Sequence, residues 1–208
     1  MTVIKPGFEI LDRIDGAEIL KKIELCGRTC YKSEDRITDG SAEKLIRRVI
    51  SSGHESVIEH EKITVKIICD RGVSHEIVRH RIASYSQEST RYCNYGKVGE
   101  LTFIQPSFFH AGSQQYRTWR MAMDAAEDAY LALLNQGATP EHARSVLPNS
   151  LKTEIVITMN LREWRHFLKL RTAKDAHPQL REIAIPLLAE FQRRIPVVFD
   201  DIVVDDTR

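Results

Sequence analysis

Two runs far apart in the chain repeat apolar residues at every second position. They are Ile63, Val65 and Ile67, interleaved with Thr64 and Lys66, and Ile155, Ile157 and Met159. A period of two sends every apolar side chain to one side of a strand, so each run has to lie in a sheet with a covered face. The stretches around them follow the helical period instead. Leu45, Ile46, Val49 and Ile50 follow Ser41 and stop at Gly53, and Trp119, Met123, Ala126, Tyr130 and Leu133 mark one side of a long helix over 114–136 with Gly137 beyond it. Strands alternating with amphipathic helices predict a mixed α/β chain with antiparallel hairpins.

Local signals place the remaining elements. Gly72 breaks the first strand, and Ser74 caps a short helix that carries Ile77 and Val78 and delivers Arg79, His80 and Arg81 at its end. Residues 82–95, rich in Ser and Tyr, read as extended chain, and Leu101–Ile104 as a strand. Thr139 followed by Pro140 starts a short helix closed by Leu147-Pro148. Asn160-x-x-Glu163 resembles a capping box for a helix over 161–172. Pro178 opens a final helix, kinked near Pro186. With no repeat, linker or low-complexity stretch, residues 1–208 read as one domain, long enough for a sizeable core.

A net charge of +1, with 30 basic residues set against 29 acidic ones, argues against a protein that coats nucleic acid. No apolar run has the length of a membrane span, and the first residues lack a signal-peptide pattern, so the chain reads as cytoplasmic. Cys26, Cys30, Cys69 and Cys93 form no Cys-x-x-Cys pair, which removes the zinc ribbon and the redox dithiol. Cys26 and Cys30, at helical spacing, read as small core residues.

The chemistry concentrates in Arg79-His80-Arg81 and the polar run Ser84 to Tyr92. Adjacent cations repel unless an anion sits among them, and the hydroxyls, amide and carboxylate that follow suit a sugar, base or phosphate. A solvated basic helix end accounts for the triplet equally well. Arg171 falls on the same stripe as Trp164, Phe167 and Leu168; it either meets a partner on a core-facing side or snorkels outward from the helix end. Two rivals draw on the same stretch. A zinc helix would use His75 and His80, but these are five apart, about 140° around a helix, where ligands four apart would share a face. A nucleic-acid module would use Arg79, Arg81, Arg91, Tyr92 and Tyr95, but no basic face accompanies them.

Arg-His-Arg, seven residues, then Ser89 with Arg91 two further on, resembles the signature of the flavin-dependent thymidylate synthases. Gly53-His54-Glu55-Ser56 and Glu59-His60 upstream are similar to the family's pattern. So are Ala143-Arg144-Ser145-Val146-Leu147-Pro148, Asn160-Leu161-Arg162, Phe167-Leu168 and Leu170-Arg171 downstream. The resemblance covers roughly residues 27–192. It implies a single α/β domain with a mixed, largely antiparallel sheet and flanking helices, assembled as a homotetramer with active sites at subunit interfaces. It further implies methylation of dUMP to dTMP, with 5,10-methylenetetrahydrofolate as carbon donor, NADPH as reductant and FAD mediating hydride and methylene transfer. The partners are small molecules, with no metal, nucleic acid or membrane.

Carried onto this chain, the resemblance implies FAD contacts from Ser56, Arg79, His80, Arg81, Gln87, Asn160, Leu161, Arg162 and His166, with His54 and Cys30 also near the flavin. It implies dUMP contacts from Glu76, Ile77, Val78, Arg79, Gln87, Glu88, Ser89, Thr90, Arg91, Arg144 and Arg171. Arg171 would be the catalytic residue, favouring ionisation of the pyrimidine at N3. Ser89 would position the nucleotide, because no His–carboxylate relay is evident to activate it. Some positions depart from the family. Glu76 stands where some members carry Gln, Gln87 where some carry Glu, His166 where others carry Asn, and Cys30 where many carry Ser. The stretch between Arg171 and His177 is about two residues longer than in some members.

Overall fold

The computed structural model describes residues 1–97 and 100–204. Strands β1 (Thr2–Ile4), β2 (Gly7–Ile10), β3 (Lys62–Asp70), β4 (Ala83–Gln87), β5 (Thr102–Ile104) and β6 (Lys152–Asn160) form two sheets. β1 and β5 pair in parallel, Val3 opposite Phe103, and the four-stranded sheet has the order β2-β3-β6-β4. In β3 and β6 burial alternates residue by residue, with Ile63, Val65, Ile67, Ile155, Ile157 and Met159 on the covered face. The period-two runs are therefore strands, as expected, and they are neighbours. Thr64 Oγ1 lies 3.0 Å from Thr158 Oγ1, while Arg71 N donates to the Leu151 carbonyl, so the two strands run antiparallel.

The described chain divides into two units. The first comprises residues 1–8, 66–79 and 85–156. Its long helix α4 (Gln114–Asn135) packs Trp119, Met123 and Tyr130 against Leu101, Phe103 and Leu151, and Trp119 Nε1 donates to Ser150 Oγ at 3.0 Å. Short helices α3 (Arg71–Ile77) and α5 (Pro140–Ala143) belong to this unit, the latter capped by Thr139 as expected. α3 is capped by Asp70, whose Oδ1 accepts from Val73 N at 2.7 Å, not by Ser74, and Gly72 lies inside the helix instead of ending the strand. The Ser74 hydroxyl is turned inward, donating to the Arg71 carbonyl. The Ser- and Tyr-rich run becomes β4 and then a turn closed by Cys93 N donating to the Ser89 carbonyl.

The second unit comprises residues 9–65, 80–84 and 157–204 of the described chain. Helices α1 (Gly16–Thr29), α2 (Ser41–Ser51), α6 (Leu161–Arg171), α7 (Pro178–Arg194) and α8 (Pro196–Phe199) lie here. The aromatic core runs through edge-on rings: Trp164 on Phe167 and Phe191, whose ring is 5.1 Å from that of Phe199. Gly53, at φ +72°, reverses the chain after α2, a conformation that carries no Cβ penalty in glycine. Pro186 lies within α7, and α8 follows it, so α7 is not the final helix. The apolar periodicity of α1 went unread in the sequence, and its cysteines are not core residues: Cys30 is exposed and Cys26 only half-buried.

At two points a strand passes into a helix with no residue between them. β3 ends at Asp70 and α3 begins at Arg71; β6 ends at Asn160 and α6 begins at Leu161. Each time the last strand residue supplies the helix cap. No described helix is long and apolar enough to cross a membrane.

Candidate active site

In the second unit, the cap at Asn160 sets the site. Its Oδ1 accepts from Glu163 N at 2.9 Å, and Leu161 N donates to the Glu61 carbonyl at 2.9 Å, so α6 starts in a fixed phase. That phase turns Arg162, His166 and Lys169 outward and Leu161, Trp164, Phe167 and Leu168 inward. The outward residues, with Asn160, Glu163, Arg165, Glu55, Glu59 and Ile82, line a cavity of about 500 Å³. Asn160, Arg162 and His166 were expected flavin contacts, and one cavity gathers all three. Leu161, also expected to touch the flavin, is fully buried and does not line the cavity. His54, Ser56 and Arg81 are exposed nearby in sequence but do not line the cavity, and neither does Cys30, whose Sγ–H points at the Cys26 carbonyl.

Behind the cavity wall lies His80, only 4% exposed, with its ring edge-on to Phe167 (4.8 Å) and His166 (5.4 Å). Nδ1 faces Glu163 Oε1 at 3.3 Å, and Arg171 Nε donates to Nε2 at 3.1 Å. Burial, the Arg171 charge and His166 together lower the His80 pKa from its ordinary 6.5 to about 4. Burial likewise raises the Glu163 carboxyl above the usual range, against the pull of His166 and Arg162. Arg171 is half-buried and meets a partner, His80, the first of the two readings that its spacing left open.

His80, Glu163 and His166 also bring three potential metal-ligand atoms within 4.8 Å of one another. A guanidinium offers only donors, so the Nε2 lone pair is engaged by Arg171 and the neutral ring carries its proton on Nδ1. No imidazole lone pair of His80 is left for a metal.

An unfolded chain therefore takes up a proton that folded His80 refuses between pH 6.5 and about 4. Stability from this group is complete above pH 6.5 and falls as pH drops through that window, by up to roughly 3 kcal/mol. Urea midpoints measured from pH 7 to 4 should show this slope, and His80→Gln should flatten it.

The first unit holds the expected nucleotide residues other than Arg171. On α3 and beyond it, Glu76 is half-buried, Val78 and Arg79 are exposed, and Ile77 is fully buried, its carbonyl accepting from the Tyr85 hydroxyl at 3.0 Å. Ile77 thus offers a nucleotide nothing from its side chain. Gln87 turns its amide inward to Ser74 Oγ (2.9 Å) and Thr153 Oγ1 (3.2 Å). Glu88 accepts from Tyr95 (2.7 Å) and from Lys152 (3.1 Å), and burial with the Glu88 contact pushes the Tyr95 phenol up. Gln87, Glu88, Lys66, Ser86, Lys152 and Glu154 open onto a cavity of about 470 Å³. Arg144 Nη1 lies 3.4 Å from Thr90 Oγ1, and Arg91 pairs with Glu141 at 2.8 Å. Both members of the Arg91–Glu141 pair are about half exposed, so the pair contributes little to stability. Ser89 is half-buried; its Oγ accepts from Arg91 N at 3.3 Å, a contact that shapes the turn.

Several lining residues were not read from the sequence: Glu55, Glu59, Ile82, Glu163, Arg165 and Lys169 in one cavity, Lys66, Lys152 and Glu154 in the other. Lys152 and Glu154, two apart on a strand, carried a usable signal, since such residues share a face.

The family described as "Thymidylate synthase complementing protein" matches residues 10–197. A flavin-dependent thymidylate synthase of Pyrococcus furiosus is 38% identical over 174 residues, 83% of this chain and 71% of the relative. That of Geobacter sulfurreducens is 36% identical over 186 residues, covering 86% and 80%. Among solved structures, the UMP/dUMP methylase PolB of Streptomyces cacaoi, bound with 5-Br dUMP, superposes with a TM-score of 0.80 at 26% identity over 96% of both chains. Fold and matched stretch define the class, that of the thymidylate synthase complementing proteins. Within it, the identity to curated relatives over most of the chain is decisive: this chain belongs to the flavin-dependent thymidylate synthases.

Proposed function

We propose that the cavity along α6 holds FAD through Asn160, Arg162 and His166, with His80 behind it and Arg81 assigned by the family resemblance, in an enzyme that makes dTMP from dUMP. The gathering of three expected flavin residues in one cavity carries this reading. The donor set fits an anionic, aromatic cofactor. Arg162 and Lys169 are about half exposed and offer cationic hydrogen bonds to phosphate, and the partner that Arg162 now holds, Glu59, is equally exposed and exchangeable. The chain has no Gly-x-Gly-x-x-Gly, so these side chains take the place of a dinucleotide-binding turn. When bound, FAD supplies hydride and methylene transfer, with NADPH and methylenetetrahydrofolate as co-substrates.

The nucleotide is assigned to Arg79, Glu88, Ser89, Thr90, Arg91 and Arg144, and to Arg171 as the group that stabilises negative charge on the pyrimidine. Gln87 and Ile77 support those residues from within, and Glu76 keeps a place in this set as a neighbour of Arg79 in sequence. Ser89 positions; it is no nucleophile. His54, Ser56 and Cys30 are assigned to the flavin's surroundings by the family resemblance alone. The assembly inferred is a cytoplasmic homotetramer in which residues 1–208 work as one catalytic domain and active sites form at subunit interfaces.

Protein purified without added cofactor should show a flavin absorption spectrum that denaturation releases, and light scattering of the same preparation should give four chains. Failure to bind added FAD at roughly micromolar concentration, where the binding free energy is about 8 kcal/mol, would remove the flavin assignment.

A further inference from the structure

Three groups stand in line inside the second unit: Glu163 Oε1, the His80 ring and Arg171 Nε, with contacts of 3.3 Å and 3.1 Å. Each member fixes the state of the next. Arg171 has only donors, so His80 Nε2 must be the bare, accepting nitrogen. A neutral imidazole with a bare Nε2 carries its proton on Nδ1, and Nδ1 faces Glu163. The ring is confined by Phe167 and His166 on its edges, so it has little room to flip. Glu163 is itself held at the first turn of α6, where its backbone N–H is occupied by the Asn160 cap and its side chain is nearly buried.

We propose that Glu163 is a positioning residue that orients Arg171 through the tautomer of His80. The proposal rests on the reading of Arg171 as the group that activates the pyrimidine. An acceptor at Nδ1 holds the proton there and leaves Nε2 as the fixed target of Arg171 Nε. With Nε anchored, the terminal nitrogens of the guanidinium keep one direction, as a preorganised donor requires. Without Glu163, the proton is free to move to Nε2, where its N–H opposes that of Arg171 and the anchor is lost. His80 pKa falling to about 4 agrees with a ring that stays neutral while it accepts from a cation.

The FAD-loaded enzyme, labelled with ¹⁵N-histidine, reads the tautomer directly, His80 being assigned by its loss in His80→Gln. The parent should show a protonated Nδ1 and a bare Nε2. Glu163→Ala should shift His80 toward the Nε2-protonated form and lower kcat for thymidylate about tenfold, with KM for dUMP changed less than twofold. Glu163→Gln keeps an acceptor oxygen, so it should restore the parent tautomer and most of the lost turnover. A proton on Nε2 in the parent overturns the proposal even if no Glu163 variant folds. So does an unchanged tautomer in Glu163→Ala, or equal loss of turnover in the Ala and Gln variants. Near-parental turnover in Arg171→Lys overturns instead the role given to Arg171, and the tautomer measurement keeps the two failures apart.

Discussion

Arg171→Lys is expected to lose most thymidylate formation while still binding FAD and accepting reducing equivalents from NADPH. Lysine keeps the charge but has neither a planar fork nor an Nε–H to anchor on His80 Nε2, so a directed donor becomes a mobile point charge. In a half-buried setting one directed donor is worth roughly 3 kcal/mol, on the order of a hundredfold in rate. Thymidylate formation and flavin bleaching should be followed in one preparation. A variant that bleaches normally and makes thymidylate at close to the parent rate shows that the pyrimidine is activated elsewhere.

The largest expected loss of stability is at Arg165. Its side chain is 1% exposed, and its guanidinium meets Glu55 Oε1 (3.1 Å), both Asp201 carboxylate oxygens (2.6 and 2.7 Å) and the Val198 carbonyl. Burial opposes its charge, but Asp201 and Glu55 outweigh it and the pKa is raised; the same contact holds Asp201 below the usual carboxylate range. Arg165→Leu removes the buried member of this group and leaves Glu55 and Asp201 with Lys169 alone, at 4.0 and 3.7 Å, and the Val198 carbonyl without this donor, a change that costs about 3 kcal/mol. For a chain of this size that is a fall in melting temperature on the order of 10 °C. Arg165→Lys, which keeps the charge without the fork, should fall between the two. Thermal unfolding of the three proteins side by side decides it: a Leu variant that melts with the parent would mean that the group adds no net stability.

What the sequence disclosed, and what it concealed, follows from how local each signal is. The Asn160 cap was legible because a cap needs only the next three residues, and β3 and β6 because alternation is written within each run. Asp70 and Ser74 both offer cap chemistry four residues apart, and only the fold reveals that Asp70 is the cap while Ser74 is taken up by Gln87. β1 and β2, three and four residues long, carry too few side chains for a period to register. Arg165 was passed over because it adjoins the apolar stripe of α6 rather than lying on it. Its partners Glu55 and Asp201, 110 and 36 residues away, have no local signature. Arg171 was noticed for its place on the stripe, but its partner His80, 91 residues distant, came only with the structure. Expected flavin residues were legible through the motif they share, yet motif order does not say which line a cavity; Asn160, Arg162 and His166 do.

Where β6 becomes α6 at Asn160 and Leu161, and β3 becomes α3 at Asp70 and Arg71, no spare residue absorbs a change in chain length. One residue gained or lost in the strand would swap its inner and outer faces, and one within the helix would swing everything beyond by about 100°. A single insertion near residue 160 would thus carry Arg162, His166 and Arg171 off their bearings together, whatever residue was inserted. A change in length is better absorbed in the exposed part of the turn between α6 and α7, at 174–177, than at either junction. The spacing from Asn160 to Arg171 is, in effect, a ruler: the count of residues along it matters as much as their identity.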